Sequence, residues 1–447
     1  MPPSDAPAAS VADTVREMAA IRAGLLVLIG TAAANIGAYA FHLVSARMLG
    51  PAPYGELASL VALAGLVALP LSGVQLVVAR YAAGFLAQTS LDNVRALFYR
   101  GVVVTGAAAA VLTVALLALT PLIQDALDIE SAWPVLFTAL LTLPAALTPV
   151  AWGISQGLQR FALLAASMSL GSAVRVVLAG MLLGVGFGPE GAVGATLVGS
   201  FASLGLAVWF LRRWLSGARR LRSPVSWIEA RRYLVPIVVA LLALTALSTL
   251  DVLVAKISLP EADAGVYGAL SLTGRVILYL PAVIVTVMLP KVSARTAANR
   301  DTSSILARSL AVTVIFCAAA TLAYSAAPEL IVKAAFGTEF TDGAHLLWMF
   351  AVAMSGYSIL NVLLAYHLGR GSLRLPWLLF AGAVLQAIGF AFFHESAKEL
   401  LGVSIATAWS LVALHEVLIY PSLLRSAILL WRHAFYRLHA RKRSPLA

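Results

Sequence analysis

The stretch that decides the fold is "ARMLGPAPYGELASL" (Ala46–Leu60), and a similar one returns about 210 residues later as "AKISLPEADAGVYGAL" (Ala255–Leu270). In each, an almost uncharged run ends on a cation, Arg47 or Lys256. Helix-breaking residues follow, and the chain restarts at Tyr54-Gly55 or Tyr267-Gly268. Gly and Pro stop a helix, a cation suits the headgroup zone, and an aromatic at the restart suits the membrane–water interface. Each stretch therefore reads as a hairpin joining two apolar spans. The correspondence continues: Pro51 matches Pro260, Leu69-Pro70 matches Leu280-Pro281, Arg80 matches Lys291, and "TPLI" (Thr120–Ile123) has a counterpart in "APELI" (Ala327–Ile331). Several matches in one order at a nearly constant offset imply an internal duplication.

Composition requires a bilayer as solvent. Of 447 residues, 61% are hydrophobic and 11% charged, with a mean hydropathy of +0.92. An ordinary soluble domain carries about 25% charged residues. Twelve runs reach the roughly 20 residues that a spanning helix needs: 24–49, 57–79, 101–123, 133–154, 161–187, 190–211, 233–257, 265–290, 305–328, 343–367, 375–394 and 400–424. Membrane strands would be shorter and would alternate, so the fold class is an all-α polytopic membrane protein. The net charge of +11 reads as topology rather than nucleic-acid binding. With the N-terminus on one side, that side collects 25 Lys and Arg; the other holds four, Arg47, Lys256, Lys333 and Lys398, and 12 acids against 6. By the positive-inside rule both termini are cytoplasmic, and a bacterial inner membrane is the expected location.

Six spans per half is an even number, so the two halves form a parallel repeat. The expected organisation is a cytoplasmic N-terminal segment (1–23), an N-lobe (24–211), a basic connector (212–232), a C-lobe (233–424) and a basic tail (425–447). Residues 1–23 show no cleavable signal pattern, and the first apolar run is too long for a signal peptide. The connector and the tail's "WRHAFYRLHARKR" (Trp431–Arg443) suit an anionic leaflet. Cys317 is the single cysteine; it offers no disulfide and reads as a small hydrophobe.

The hairpin sequence is similar to the first-hairpin signature of the bacterial polysaccharide-export flippases, within the multidrug/oligosaccharidyl-lipid/polysaccharide exporter superfamily. "GISQGLQRF" (Gly153–Phe161) resembles their turn after the fourth span, "LDVLVAKISLPEADAGVYGAL" (Leu250–Leu270) their seventh-span Asp and restart, and "APELIVKAAFGTEF" (Ala327–Phe340) the segment closing the ninth span. The resemblance spans roughly residues 24–425. It implies a transporter, not an enzyme, that flips a polyprenyl-pyrophosphate-linked oligosaccharide by alternating access for surface-polysaccharide or lipopolysaccharide biosynthesis. The implied partners are that lipid-linked glycan, membrane lipids and a polysaccharide polymerase, with no nucleic acid and no cofactor beyond coupling to H⁺ or Na⁺. No phosphate-binding Gly-rich loop occurs in the sequence.

Ionisable groups at membrane depth are functional suspects: Arg175, Asp251, Arg275 and Glu416. Arg175 and Arg275 lie roughly 18 Å and 15 Å from the outer ends of their spans at ~1.5 Å per residue, one in each half. Forked cationic donors suit a pyrophosphate leaving water; the structural alternative is neutralisation by an acid, with Asp251 the obvious partner of Arg275. Asp251 is the candidate for ion coupling. Arg47, Lys256, Asn35 and Gln75 complete the candidate substrate-binding set. Asn35 and Gln75, like Gln156 and Asn361, could equally bond neighbouring helices. His415 and Glu416 are adjacent, so on an α-helix they would not share a face. His42, His345 and His367 read as interfacial, without metal spacing. Pro70, Pro144, Pro149, Pro236 and Pro281 lie inside spans, where they kink helices.

Three other readings compete. A cation-coupled multidrug antiporter would line its cavity with acids and aromatics. A lipid-II flippase would carry two further spans. A polytopic glycosyltransferase or ligase would need larger outer loops than these. The orientation is testable: in a Cys317→Ser background, Ser131→Cys should react with a membrane-impermeant maleimide in intact cells and Ser372→Cys should not. The reverse labelling pattern would invert the topology.

Overall fold

The computed structural model describes residues 30–88, 90–215 and 227–420; the N-terminal segment, most of the connector and the basic tail lie outside them. Among the described residues there is no strand. The elements are α1 (30–49), α2 (Pro51–Ala87), α3 (Leu91–Ala118), α4 (Thr120–Leu127), α5 (Ala132–Gly157), α6 (Phe161–Gly184), α7 (Pro189–Leu215), α8 (Trp227–Leu247), α9 (Leu250–Ser258) and α10 (Glu261–Arg275). A 3₁₀ turn (Val276–Leu278) leads into α11 (Tyr279–Ala297), followed by α12 (Ser303–Ala326) and α13 (Pro328–Phe336). A 3₁₀ segment (Thr338–Leu346) then precedes α14 (Leu347–Gly369), α15 (Arg374–Phe392), α16 (Ala397–Leu414) and a closing π-helix (His415–Ile419). Eleven helical stretches among the described residues are long and apolar enough to cross a membrane, and they coincide with the second to twelfth expected spans. Helix α1 is the described part of the first.

The hairpin differs from the sequence expectation. Gly50 takes the left-handed conformation (φ +73°) that ends α1, and α2 begins at once with Pro51, not at Tyr54-Gly55. Proline is tolerated in a first helical turn because its missing N–H has no partner there anyway. The counterpart repeats the device: Leu259 is extended, Pro260 is the N-cap residue, and α10 starts at Glu261.

The chain forms two compact units, Met1–Leu49 with Leu71–Leu234 and Gly50–Pro70 with Val235–Ala447. Residues 50–70, placed in the N-lobe by sequence, therefore group with the second unit, and the division falls at Pro70 inside α2. The reason is close packing. A side chain at Gly265 would run into the Pro51 backbone, and one at Gly55 would come within 3.0 Å of the Gly265 nitrogen. Small residues let helix backbones approach where lipid provides no hydrophobic drive. Tyr54 is fully buried and packs against Phe336 and Phe340, ring centroids 6.3 and 5.8 Å away. Both restart tyrosines are buried rather than interfacial, Tyr267 at 1% exposure.

Each unit is organised around one helix. In the first, the apolar stretch of α5 is 61% buried; in the second, the stretch containing α14 is 78% buried; the other spans range from 17% to 44%. These are the fourth and tenth spans, equivalent positions in a six-span repeat. Val150, Ala151 and Ile154 of α5 pack with Val78 and Ala82 of α2 and with Leu211 of α7. Gly153 and Gly157 bring α5 close to α2. In the second unit Tyr357, Leu360 and Leu363 of α14 join Val292 of α11, Leu310 of α12 and Leu411 of α16.

The prolines act unequally. Pro70, Pro144, Pro149 and Pro236 lie within helices that continue through them, whereas Pro281, the match of Pro70, sits in the first turn of α11 after the 3₁₀ break. We expect Gly265→Ala to lower the melting temperature in detergent, since overpacking costs about 1–3 kcal/mol. Gly84→Ala, whose added methyl meets nothing within 4 Å, should leave it unchanged or raise it, and equal effects would refute the close-packed crossing.

Candidate functional site

The seventh span is two helices. The α-helical pattern stops at Leu247 and resumes at Leu250, with Ser248 and Thr249 forming turn bonds to Leu244, Thr245 and Ala246. A break at membrane depth exposes backbone groups that must be satisfied inside the protein. Gln386 of α15 does this, its Nε2 donating to the Leu247 carbonyl at 2.9 Å. Tyr357 of α14 holds the amide in turn, its hydroxyl donating to Gln386 Oε1 at 2.9 Å and lying 3.2 Å from the Ser404 carbonyl oxygen.

Asp251 falls in the first turn of α9, where the helix dipole favours a carboxylate. It is 2% exposed. Its Oδ2 accepts from the Tyr267 hydroxyl at 3.0 Å, and its Oδ1 is buried with no hydrogen-bond partner among the described residues. The Tyr267 ring is braced edge-on against Phe350, 4.9 Å between centroids. Two buried polar sets thus lie within electrostatic reach of each other, Asp251–Tyr267 from α9 and α10 and Tyr357–Gln386 from α14 and α15. The open Oδ1 can hold a proton or ligate a cation.

Arg275 closes α10 immediately before the 3₁₀ turn. The backbone carbonyls there have other donors: the Tyr324 hydroxyl bonds the Thr273 oxygen at 2.9 Å and the Ser358 hydroxyl the Ile277 oxygen at 3.2 Å. Arg95–Asp92 and His415–Glu416 form ion pairs elsewhere in the chain. Arg275 is close enough to Asp251 for a coulombic interaction, but the Asp251–Arg275 ion pair, the structural alternative in the sequence reading, is not formed: Tyr267 takes Oδ2 and Oδ1 stays open. Arg275 Nε and Nη2 are buried without hydrogen-bond partners among the described residues, as is the Ser271 hydroxyl one turn earlier on the same face. The site therefore holds an excess of unused donors.

The other candidates are dispersed. Arg175 lies in the first unit, its guanidinium carbon 3.7 Å from the centre of the Phe41 ring, an electrostatic contact with the ring face. Gln75 Nε2 donates to Gln156 Oε1 at 3.1 Å, tying α2 to α5, so the helix-bonding alternative describes both. Asn35 and Arg47 are exposed on α1. Lys256, expected in the headgroup zone like Arg47, is 5% exposed. Of the histidines read as interfacial, His345 is exposed, whereas His42 and His367 are buried. Sequence reasoning treated Tyr267 only as a hairpin marker and missed Tyr357 and Gln386. Their signal was a lone polar group in an apolar span, as in "AVLQAIG" (Ala383–Gly389).

Residues 21–296 match the family described as polysaccharide biosynthesis protein. No curated protein matches the chain. Among solved structures, the inward-facing conformation of a multidrug resistance MATE family transporter of the MOP superfamily is 17% identical with a TM-score of 0.64, over 94% of this chain and 100% of that one. An outward-facing conformation of such a transporter is 16% identical with a TM-score of 0.57, over 93% and 96%. A MOP superfamily transporter from Pyrococcus furiosus, described by a reverse polarity of its binding pocket, is 17% identical with a TM-score of 0.50, over 95% and 97%. At these identities the structures establish a shared fold. With the family match over more than half its length, the chain, whose described helices are long and apolar enough to cross a membrane many times, belongs to the polysaccharide biosynthesis protein family.

Proposed function

We propose that the protein flips a polyprenyl-pyrophosphate-linked oligosaccharide from the cytoplasmic to the outer leaflet of the bacterial inner membrane, with both termini cytoplasmic, by alternating access. The observation that carries this reading is Arg275, a half-buried residue whose Nε and Nη2 are buried without hydrogen-bond partners, beside an unused Ser271 hydroxyl. A cation without hydrogen-bond partners is costly to bury, and an incoming phosphate oxygen repays that cost by accepting charge-assisted bonds. The family description, polysaccharide biosynthesis protein, names a process that consumes such lipids. Arg175, at similar expected depth in the other half, is a separate candidate for binding an anionic headgroup. Asp251 is the candidate for coupling to a proton or sodium gradient. A polysaccharide polymerase would take the product.

The second reading is a cation-coupled multidrug antiporter, favoured by Asp251 Oδ1 and by the names of the similar folds. The Pyrococcus furiosus transporter is described as having a different function suggested by its reversed pocket polarity, so kinship of fold leaves the charge of the cargo open. Against an organic cation stand the unused donors of Arg275.

Lipid mass spectrometry of a strain depleted of the protein tests the choice. A polyprenyl-pyrophosphate oligosaccharide should accumulate; no accumulation, with new sensitivity to organic cations, would favour the antiporter. In the complemented strain, Arg275→Gln should lower polysaccharide export about 10- to 100-fold, the loss of a charged hydrogen-bonding group, with insertion intact. Arg275→Lys should restore part of it, and full export by Arg275→Gln would remove Arg275 from the site. Asp251→Asn should abolish dependence of export on the ion gradient, and unchanged dependence would leave Asp251 a structural group.

A further inference from the structure

Helices α14 and α16 finish side by side, and a buried histidine from each meets the other. His367 Nε2 lies 2.9 Å from His415 Nε2, and the two rings are 4% and 0% exposed. The ring centroids are 5.1 Å apart at 70°. At this point the α-helical pattern of α16 widens into the π-helix His415–Ile419, closed by the Tyr420 N–H donating to the His415 carbonyl at 3.0 Å. The site lies roughly 15 Å along α14 from Tyr357, outside the polar groups around Asp251.

Two imidazole nitrogens at this separation can share one proton: one donates and the other accepts. Glu416 Oε1 is 3.4 Å from His415 Nδ1, so these adjacent residues do meet, contrary to the expectation for an α-helix. The contact is too long for a good hydrogen bond, and Nδ1 has no other partner among the described residues, but a carboxylate oxygen on that side favours the His415 proton on Nδ1. His415 Nε2 is then the acceptor and His367 Nε2 the donor. A further proton on His415 would leave two donors face to face and a second positive charge in the cluster. Arg370 is already there, within coulombic reach of His367 and stacked 5.6 Å over Tyr366 and 5.9 Å over Tyr420.

Among the described residues, Arg370, which caps α14, and Glu416 from the π-helix are the charged groups that act on the pair. The surroundings from α11, α12 and α15 are apolar, with Val292, Leu306 and Leu375 in the same buried cluster as Tyr366. Just before α12, Thr302 adds a hydrogen bond to the Tyr366 hydroxyl at 2.9 Å. A metal is a poor fit, because Glu416 approaches the far nitrogen of His415 and a guanidinium stands beside the pair.

We propose that His367 and His415 form a proton-operated latch between α14 and α16. With one shared proton the latch is closed. Uptake of a second proton at His415 Nε2 breaks the Nε2–Nε2 bond, parts the two helix ends and frees the π-helix; a proton on His367 Nδ1 would leave the bond intact, and the Arg370 charge beside His367 opposes it there. The open form binds one more proton than the closed form, so acid favours opening. The latch is independent of the cargo and of Asp251.

Hydrogen exchange of the full-length protein in lipid nanodiscs, read at the amides of residues 412–420 and corrected for intrinsic rates, tests this. Local opening should rise about tenfold per pH unit as the pH falls through the imidazole range, the slope for uptake of one proton. In His415→Gln the amide oxygen still accepts from His367 Nε2 in either charge state, so the latch should stay closed in acid and the slope should vanish. The double variant His367→Gln/His415→Gln should also be flat. A flat wild-type profile, which needs no variant, would overturn the proposal, as would a wild-type slope that persists in either variant.

Discussion

The hydrogen bond from Gln386 to the Leu247 carbonyl allows the rest of the second unit's site to exist. A span can stop and restart inside a bilayer only if the backbone groups it frees find partners within the protein. With that carbonyl satisfied, α9 begins at membrane depth and carries Asp251 in its first turn. The same side chain is held by Tyr357, and the carboxylate by Tyr267. Remove the amide, and the Leu247 carbonyl and the Tyr357 hydroxyl would each lose a partner in a buried setting. Polar groups in a low-dielectric interior stand or fall as a network.

The duplication sets the plan, and the two copies have diverged where chemistry is concentrated. Both halves build their unit around the same helix of six, α5 and α14, and both start the helix after the hairpin with proline at its first turn or N-cap. The copies part at their ionisable groups. Arg47 is exposed where Lys256 is buried. Pro70 lies within a continuous α2, while its match Pro281 follows a 3₁₀ break that begins just after Arg275. That break lets Arg275 end a helix, where a cation is favoured, and other side chains serve the neighbouring carbonyls. Its own donors remain unspent.

Fold class, span number and duplication were legible because they rest on the sum of many residues: a mean hydropathy of +0.92, a strong basic asymmetry and ordered repeat matches. Asp251 and Arg275 were legible individually because charge inside an apolar run is rare. Their relation was not. The sequence left open whether Asp251 neutralises Arg275, and a tyrosine that looked like an interface marker turned inward and took Oδ2 instead. Tyr54 misled in the same way, since its burial depends on Phe336 and Phe340 nearly 300 residues away.

The sequence by itself determined that this chain must live in a bilayer as a duplicated helical bundle, because hydropathy and helix-breaking residues act locally and additively along the chain. Only the tertiary structure decided which polar groups meet. The 2.9 Å contact of His367 with His415 spans 48 residues and the bond of Gln386 to Leu247 spans 139. Such pairings depend on how helices rotate and cross, a property of packing that no local pattern encodes. The grouping of residues 50–70 with the second unit has the same origin, a backbone contact that glycine at position 265 permits and any side chain would forbid.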